Sequence, residues 1–340
     1  MRLPRFRFVS ARSVAEAAEA LVATPGTAMI VAGGTDLVPN MKRRQQVPST
    51  LVGLRRVDEL RHIHVNGGIT IGAGVTLSHL IRFLDAGSRD ALRGLRQAAA
   101  QVATPQLRNM GTVGGNLCLD TRCNYYDQNY EWRKAIDFCM KKDGATCWVA
   151  TSSPRCLAVS STDTAPALMS LDASVALVSA AATRHVPLTE LYSNDGIHYL
   201  TRRPDEILTT ISVPELEGWR STYWKLRRRG AFDFPVLSVA AAARFAKDGA
   251  VEDARIVLGA VASCPISVAV GDVLRGDVLS DARIAAAAER VAVPARPMDN
   301  TDFALVWRKR MVKSFVTYAL RELRGDDMRA DRLRVARQLL

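Results

Sequence analysis

Four cysteines lie close together in the middle of the chain, at Cys123, Cys139, Cys147 and Cys156. They are separated by 16, 8 and 9 residues, and the segment that holds them contains no histidine and no Cys-x-x-Cys pair. Four thiolates are the ligands of an iron-sulfur cluster or of an all-cysteine zinc site, whereas a zinc finger or ribbon needs closely paired ligands. A third interpretation is burial of the cysteines as small apolar side chains without metal.

The residues around these cysteines are aromatic and basic. Aromatic side chains can exclude water from a metal site, and cations can offset the negative charge of a thiolate-ligated cluster. The aromatic residues are Tyr125, Tyr126, Tyr130, Trp132, Phe138 and Trp148, and the cations are Arg133, Lys134, Lys141 and Lys142. Because both properties tune a reduction potential, the setting favours an electron-carrying cluster over structural zinc. Cys118 and Cys264 have no matching partners, and we interpret them as structural.

Two glycine-rich loops have the composition of an anion-binding site. The first loop is Val31, Ala32, Gly33, Gly34, Thr35 and Asp36, and the second loop is Thr112, Val113, Gly114, Gly115 and Asn116. Glycine lets the backbone approach a phosphate closely, so that amide NH groups can converge on its oxygens, and threonine and asparagine add side-chain donors. Neither loop matches the Rossmann or P-loop pattern, and each alone is also compatible with an ordinary turn.

The segments around the loops and cysteines have clear secondary-structure patterns. Ser13 and Glu16 form a capping box that predicts a helix over 13–21, and the apolar run before the first loop predicts a strand. A helix and then a strand are predicted over 164–180, so the segment at about 119–157 is predicted to be an insertion. Two strands joined by a tight turn at Asp248 and Gly249 are predicted over 237–262.

Near the C-terminus the sequence predicts an amphipathic helix. Its apolar stripe includes Leu305, Val312 and Phe315, and Gly325 can end it. Basic patches that include Lys225 with Arg227 to Arg229, and Arg308 with Lys313, are predicted at the surface. Such patches can meet an acidic protein or an anionic cofactor.

The composition is that of a soluble globular protein. The chain has 340 residues and a net charge of +12, with 48% hydrophobic and 24% charged residues, which suits two or three domains. No stretch approaches the roughly 18 apolar residues of a membrane span, and no nucleic-acid-binding motif accompanies the charge. We therefore expect neither a membrane nor a nucleic-acid partner. Arginines replace the apolar run of a secretory signal near the N-terminus, which predicts a cytoplasmic location.

Five motifs, in the same order, resemble the FAD-binding medium subunit of the xanthine dehydrogenase family of molybdenum hydroxylases. They are VAGGTDLVPNMK, LVGLRRVDEL, ITIGAGVTLSHL, LRNMGTVGGNL and STDTAPALMSLDA, and KLRRRGAFDFPVLSVAAA with IVLGAVASCPI resembles the last domain of that subunit. The resemblance implies an α+β protein with a two-subdomain FAD-binding fold of the vanillyl-alcohol-oxidase (PCMH-like) type. A small α+β domain of the CO dehydrogenase flavoprotein type follows. The implied boundaries are 1–57, 58–216 and 217–330.

The resemblance also implies roles for individual residues. It assigns the first loop, from Val31 to Asp36, to the FAD pyrophosphate and the second loop, from Thr112 to Asn116, to the same cofactor. It assigns Asp163 to the ribityl and ribose side and Lys225 to the flavin environment, where a cation can stabilise negative charge on the reduced ring. Without the resemblance, Asp163 can be interpreted as a helix N-cap and Lys225 as a surface ion-pair partner.

The cysteine insertion is similar to one branch of this family, the 4-hydroxybenzoyl-CoA reductases, whose β subunits carry a [4Fe-4S] cluster in a loop at this point. The similarity implies that the four cysteines bind such a cluster and that ferredoxin, or a similar acidic donor, reduces it. Electrons would pass through FAD to two [2Fe-2S] clusters on a small subunit and then to a large molybdopterin-binding subunit. The whole enzyme would remove the phenolic hydroxyl of its substrate and assemble as a dimer of heterotrimers.

Two other functions stay open. The chain could be the FAD subunit of a molybdenum hydroxylase that oxidises an aromatic or N-heterocyclic substrate and passes electrons outward. Relatives of that kind generally lack the cysteine loop. The chain could also be a non-catalytic flavin- or zinc-binding scaffold within a larger assembly.

Overall fold

The computed structural model of the protein describes residues 2–87 and 90–337. Within those residues the chain forms twelve strands and twelve helices, and the strands assemble into three sheets. The strands are β1 (Arg7–Ser10), β2 (Ala28–Val31), β3 (Thr50–Gly53), β4 (Ile63–Asn66), β5 (Gly68–Gly72), β6 (Ser174–Val178), β7 (Thr183–Pro187), β8 (Ile207–Val213), β9 (Trp219–Leu226), β10 (Leu237–Phe245), β11 (Val251–Gly259) and β12 (Ile266–Val268). The helices are α1 (Val14–Val22), α2 (Leu37–Lys42), α3 (Leu77–Gly87), α4 (Arg93–Ala100), α5 (Pro105–Arg108), α6 (Val113–Leu117), α7 (Tyr130–Ala135), α8 (Thr164–Ser170), α9 (Gly271–Leu274), α10 (Asp281–Ala292), α11 (Leu305–Arg324) and α12 (Arg329–Ala336).

The N-terminal part contains a parallel sheet in the order β1-β3-β2. Helix α1 connects β1 to β2, and the Ser13 hydroxyl accepts a hydrogen bond from the Glu16 amide at 3.1 Å, as predicted. The Glu16 carboxylate accepts from the Arg12 amide at 2.8 Å, so the second half of the capping box forms one residue earlier than predicted. Strand β2 ends at the first glycine loop, so this sheet fixes where that loop begins.

The middle part contains a five-stranded antiparallel sheet in the order β4-β5-β8-β6-β7. The chain leaves this sheet after β5, forms α3 to α8, and returns to it at β6. Leu80, Leu95 and Leu168 of these helices are buried in one apolar core with Ile71 and Ile211 of the sheet. The second glycine loop and the cysteine segment thus belong to one long excursion that is anchored on the sheet.

The segment predicted as an insertion, at about 119–157, consists of turns and the short helix α7. A backbone bridge closes its base, because the Arg122 amide donates to the Val159 carbonyl at 2.8 Å and the Val159 amide donates back at 2.7 Å. Regular structure resumes with α8. The segment is therefore a closed loop between two ordered elements, as the sequence predicts.

The C-terminal part contains an antiparallel sheet in the order β12-β11-β10-β9. In β10, Ala240 and Ala242 are buried in the core of the middle part, whereas Ala241 and Ala243 are buried in the C-terminal core. Side chains alternate between the two faces of a strand, and alanine lets both neighbours approach closely. One strand therefore joins the C-terminal part to the middle part.

Helix α11 ends as predicted, because Gly325 has a φ of +110° and its amide donates to the Arg321 carbonyl at 3.2 Å. The apolar stripe begins later than predicted, since Leu305 is 45% exposed whereas Val312 is fully buried. The predicted turn at Asp248 and Gly249 joins β10 to β11. No helix in the described parts of the chain is long and apolar enough to cross a membrane.

Two residues predicted in basic surface patches are buried. Arg308 is fully buried and donates to the carbonyl groups of Val236, Met298 and Ala260 at 3.1, 2.8 and 2.9 Å. The side chain of Lys225 is also buried. The surface prediction is wrong for both, because a cation can leave the solvent when acceptors within the protein satisfy its donors.

Candidate functional site

A cavity of about 750 Å³ is lined by residues from all three parts of the chain. Both glycine loops line it, together with residues of the C-terminal part such as Phe234 and Asn300. Small-molecule and cofactor sites typically have volumes of about 300–1,000 Å³. The cavity is therefore large enough for a cofactor of the size of FAD.

The two glycine loops pack directly against other backbone. A Cβ atom at Gly33 would lie 2.0 Å from the Met110 carbonyl oxygen, and one at Gly114 would lie 2.6 Å from the Cβ of Ala73. Gly34 has a φ of +69°, in the region that favours glycine. A side chain at these positions would push the loops out of place. The loops thus line the cavity with bare backbone, which fits the diphosphate of FAD.

The polar side chains of the second loop fix its position. The Thr112 hydroxyl accepts from the Gly115 amide at 3.0 Å. The Asn116 Oδ1 atom accepts from the hydroxyls of Thr162 and Thr164 at 2.9 and 2.7 Å. These bonds tie the loop to the start of α8. They leave the Thr112 O–H and the Asn116 amide nitrogen as the side-chain groups that can donate to a ligand.

Asp163 lines the cavity, and Lys225 lies behind it. The Lys225 Nζ atom donates to Asp163 Oδ2 and to the Gln101 carbonyl, both at 3.0 Å, and the Tyr223 hydroxyl donates to Asp163 Oδ1 at 2.6 Å. Burial raises the pKa of Asp163 and lowers the pKa of Lys225, while their attraction opposes both shifts. Asp163 occupies the N-cap position of α8 as interpreted, but its carboxylate makes no cap hydrogen bond there. Lys225 is an ion-pair partner, but the pair is buried and does not lie at the surface.

The four cysteines of the insertion are buried close together. Each is 5–6% exposed, and Cys123, Cys139 and Cys156 belong to one apolar cluster with Tyr126. Cys147 and Cys139 are near enough to Cys156 for their charges to raise its pKa. The cysteines therefore converge in space although they are spread over the whole insertion.

Each of the first three cysteines begins a turn. The carbonyl groups of Cys123, Cys139 and Cys147 accept a hydrogen bond from the amide three residues later, at 3.0, 2.8 and 3.1 Å. The Ala158 amide donates to the sulfur of Cys156 at 3.4 Å. Burial raises the pKa of Cys123 to about 12 and that of Cys156 to about 11, and backbone amides that donate to the sulfurs oppose the rise. Amide donors around buried thiols are suited to stabilising thiolate ligands.

As the cysteines are placed, they do not enclose a single metal ion. Within residues 2–87 and 90–337, no three His, Cys, Asp or Glu side chains form a group that could hold one. A tetrahedral zinc ion needs sulfur ligands about 3.8 Å apart, because Zn–S bonds are about 2.3 Å long. The arrangement is thus unlike a compact four-cysteine zinc site.

Arg133 is a buried cation in the same segment. It is 1% exposed, and its Nε and Nη1 atoms have no hydrogen-bond partner among the described residues. Its Nη2 atom lies 3.5 Å from Asp143, which is bridged to Cys139. Unsatisfied donors in a buried position are costly unless an acceptor completes the site. The two nitrogen atoms without a partner can therefore donate to a further acceptor in this segment.

The sequence model of a family described as "FAD binding domain in molybdopterin dehydrogenase" matches residues 4–216, which is more than half of the chain. The chain belongs to the FAD-binding medium subunits of the xanthine dehydrogenase and CO dehydrogenase family. A second family model, described as "CO dehydrogenase flavoprotein C-terminal domain", matches residues 221–323 of the same chain. The fold prediction is confirmed, and the chain is a subunit of an oxidoreductase.

Similar proteins match the medium subunit along almost its whole length. It is 30% identical over 333 residues to the aldehyde oxidoreductase FAD-binding subunit PaoB of Escherichia coli (strain K12), covering 92% of this chain and 98% of that subunit. It is 26% identical over 326 residues to the glyceraldehyde dehydrogenase medium chain of Sulfolobus acidocaldarius, covering 94% and 99%. A chain of the reconstituted CO dehydrogenase from Oligotropha carboxidovorans superposes with a TM-score of 0.75 at 25% identity, covering 96% and 99%.

Most of the predicted cofactor-binding residues line the cavity of the medium subunit. Those that line it are Val31, Ala32, Gly33, Gly34, Thr35, Asp36, Thr112, Gly114, Gly115, Asn116 and Asp163. The two others are Val113, which is fully buried in the apolar core, and Lys225, which acts on the cavity through Asp163. The direct contacts of these residues with FAD stay predictions.

Arg122 is a cavity residue that the sequence patterns did not indicate. Its guanidinium pairs with Asp36 of the first loop, lies 3.6 Å from Asp127, and lies 4.6 Å from the centre of the Phe234 ring. The Asp36 carboxylate is thus neutralised instead of repelling a diphosphate. Arg122 directly precedes Cys123, and both line the cavity, so the insertion forms part of its wall.

The loop that contains Asn300 is a second feature that the sequence patterns did not indicate. The Asn300 side chain donates to the Leu157 carbonyl at 2.6 Å, and the backbone carbonyl of Asn300 accepts from the backbone amide of Asn124 at 2.9 Å. Asn300 lines the cavity, and Arg308 holds the nearby Met298 carbonyl. The C-terminal part therefore clamps both ends of the cysteine segment next to the cavity.

The aromatic residues of the insertion only partly match their prediction. Tyr126 is fully buried, but Tyr130, Trp132 and Trp148 are 50, 39 and 36% exposed. Among the predicted cations, Arg133 and Lys141 are buried, Lys142 is half-buried and Lys134 is exposed. Cys118, interpreted as structural, also lines the cavity.

Proposed function

We propose that the medium subunit carries electrons between a [4Fe-4S] cluster bound by Cys123, Cys139, Cys147 and Cys156 and FAD bound in the large cavity. One observation supports this above the others. The four buried cysteines converge at a site whose first member, Cys123, also lines the cavity. A cluster ligand and the flavin site are then direct neighbours.

A cluster suits the cysteine site better than zinc. A [4Fe-4S] cluster is larger than a single ion, so its four ligands can stand further apart than those of zinc. Backbone amide groups donate to the sulfur atoms of Cys123 and Cys156. Hydrogen bonds of this kind and burial both set the potential of such a cluster.

The chain's own residues supply binding and orientation at the flavin site. When bound, FAD supplies one- and two-electron redox chemistry. Gly33 and Gly114 let the two loops approach the diphosphate, and Arg122 neutralises Asp36 beside it. Asp163 is held by Lys225 behind it and would bind the ribityl and ribose side of FAD.

The insertion further supports a place in a 4-hydroxybenzoyl-CoA reductase. In that enzyme two electrons and two protons would convert 4-hydroxybenzoyl-CoA to benzoyl-CoA and water on a large molybdopterin-binding subunit. A small subunit with two [2Fe-2S] clusters would lie between it and the medium subunit, and ferredoxin or a similar acidic protein would be the donor. A dimer of heterotrimers, a cytoplasmic location and domain boundaries after residues 57 and 216 belong to the same proposal.

The names of the relatives favour a second candidate function. The similar chains belong to an aldehyde oxidoreductase and a glyceraldehyde dehydrogenase, which are named for oxidation reactions. In this alternative the medium subunit receives electrons from an oxidised substrate and passes them outward. The cysteine insertion is the feature that this alternative leaves without a purpose.

Metal and flavin analysis tests the cofactors. Anaerobically purified protein is expected to contain about one FAD and four iron atoms per chain. Replacing Cys139 with alanine should remove one ligand and most of the iron while flavin absorbance stays. Cys264→Ala, outside the insertion, is the matched control and should keep both. Stoichiometric zinc without iron, or loss of FAD alone in Cys139→Ala, would contradict the cluster.

The direction of electron flow separates the two candidate functions. The complete complex is mixed with reduced low-potential ferredoxin and 4-hydroxybenzoyl-CoA, and benzoyl-CoA is measured. Rapid flavin reduction and product formation support the reductase. A complex that oxidises aldehydes or N-heterocycles, and whose flavin ferredoxin does not reduce, supports the alternative.

A further inference from the structure

Lys141 is a buried cation at the boundary between the cysteine site and the FAD cavity. Its side chain is 6% exposed. The Nζ atom donates to Asp120 Oδ1 at 2.8 Å, to the Thr121 hydroxyl at 2.7 Å and to the Gly196 carbonyl at 2.6 Å. An ammonium group has three donors, and all three are used. The charge of Lys141 is therefore fixed in position.

The positive end of this side chain faces Cys156. Gly196, whose carbonyl binds Lys141, donates its amide to the Cys156 carbonyl at 2.9 Å, and a Cβ atom on Gly196 would lie 2.7 Å from the Cys156 sulfur. The ammonium group thus acts on the sulfur across a single glycine.

The carboxylate partner of Lys141 faces the opposite way. Asp120 lines the FAD cavity, and its Oδ2 atom accepts from the Tyr126 hydroxyl at 3.1 Å and from the Gln46 side chain at 3.3 Å. The ion pair therefore has its cation at the cysteine site and its carboxylate at the cavity. Fixed opposite charges that are poorly hydrated create a field between the two sites.

We propose that Lys141 and Asp120 form an oriented charge pair that sets the difference in reduction potential between the cysteine-bound cluster and FAD. Lys141 stabilises an added electron at the cysteine site, whereas Asp120 disfavours one there and in the cavity. Among the other cations of the insertion, Lys134 is exposed and Arg133 pairs with Asp143. Arg122 lines the cavity, but its partner is Asp36 of the first loop and not a residue of the cysteine site. This inference rests on the proposed function, since it requires a cluster at the cysteines.

Substitutions at the two ends of the pair break the same contact but remove opposite charges. Lys141→Gln is expected to make the cluster harder to reduce, by about tenfold in the reduction equilibrium, which equals about 59 mV for one electron. Asp120→Asn is expected to make it easier to reduce. Both are measured by redox titration of the cluster's electron paramagnetic resonance signal in the complete complex, with iron content determined in the same samples.

Two controls accompany these variants. Lys141→Arg keeps the charge and should keep the potential, and Lys134→Gln removes an exposed charge from the same segment and should not change it. Shifts of opposite sign support the inference. Shifts of the same sign, or none at full iron content, overturn it and leave the pair a structural contact. If Lys141→Gln loses iron, the Asp120→Asn variant alone tests the inference. A cluster that is easier to reduce supports it, and one that is harder to reduce or unchanged overturns it. Wild-type protein without iron would instead refute the cluster itself.

Discussion

At the scale of single residues, two glycines explain how the cavity proposed to bind FAD keeps its shape. Gly33 and Gly114 are placed where a Cβ atom would overlap backbone or a buried methyl group. Their requirement is for close approach and does not depend on a left-handed conformation, because neither has a positive φ. The two loops can therefore lie against their neighbours with amides towards the cavity.

Gly33→Ala should weaken FAD binding at least tenfold, which is about 1.4 kcal/mol. The new Cβ would lie 2.0 Å from the Met110 carbonyl oxygen, so the first loop must move away from Met110, which precedes the second loop. Flavin content after purification and FAD titration of the flavin-free protein measure the effect. Gly271→Ala, whose Cβ would meet only the flexible Arg275 side chain, is the control. Unchanged FAD affinity in Gly33→Ala would show that the loop does not hold the cofactor.

At the scale of elements, one buried carboxylate joins helices of the FAD-binding part to the C-terminal part. Glu322 of α11 accepts a hydrogen bond from Arg93, the first residue of α4, and from the Trp224 indole of β9, both at 2.9 Å. It also accepts from Thr222 of β9 and Arg332 of α12. Burial raises the pKa of Glu322, but these hydrogen bonds and charges outweigh it, so the net pKa is lowered.

Glu322→Gln is expected to lower the free energy of unfolding by about 2–3 kcal/mol at neutral pH, because charged hydrogen bonds in a buried site are lost. A lowered pKa in the folded state stabilises the protein above the pKa of the unfolded side chain. The difference between wild type and variant should therefore shrink as the pH falls through the folded-state pKa. Urea unfolding at several pH values measures it. Glu289→Gln, in the exposed pair with Lys313, should change stability by less than about 0.5 kcal/mol.

Elements were more predictable than the burial of charges. The strand before the first loop and the glycine end of α11 follow from local patterns that the structure confirms. The burial of Arg308 and Lys225 does not, because their acceptors are backbone carbonyls and a carboxylate far away in sequence. A one-dimensional pattern records that a residue is charged but not which distant groups surround it. Arg122 could not be predicted as a cavity residue for the same reason, because its partner Asp36 is far away in sequence.

At the scale of the whole molecule, the cavity belongs to no single part. The first glycine loop follows the parallel sheet, the second lies in the excursion from the five-stranded sheet, and the Asn300 loop comes from the C-terminal part. The alternating alanines of β10 and the pair between Asp163 and Lys225 connect the middle part to the C-terminal part. A ligand in the cavity thus binds only when all three parts are folded and docked.

FAD should therefore stabilise the entire chain as one unit. A ligand that binds only the folded state adds about 2.7 kcal/mol at a concentration of 100 times its Kd. We expect flavin-free protein with such an excess of FAD to unfold in a single transition. Its midpoint should move to a higher urea concentration, and fluorescence and circular dichroism should report the same midpoint. FMN at the same concentration lacks the adenosine half, spans less of the cavity and should shift the midpoint less. Two separate transitions, of which FAD moves only the first, would show that the C-terminal part does not help to hold the cofactor.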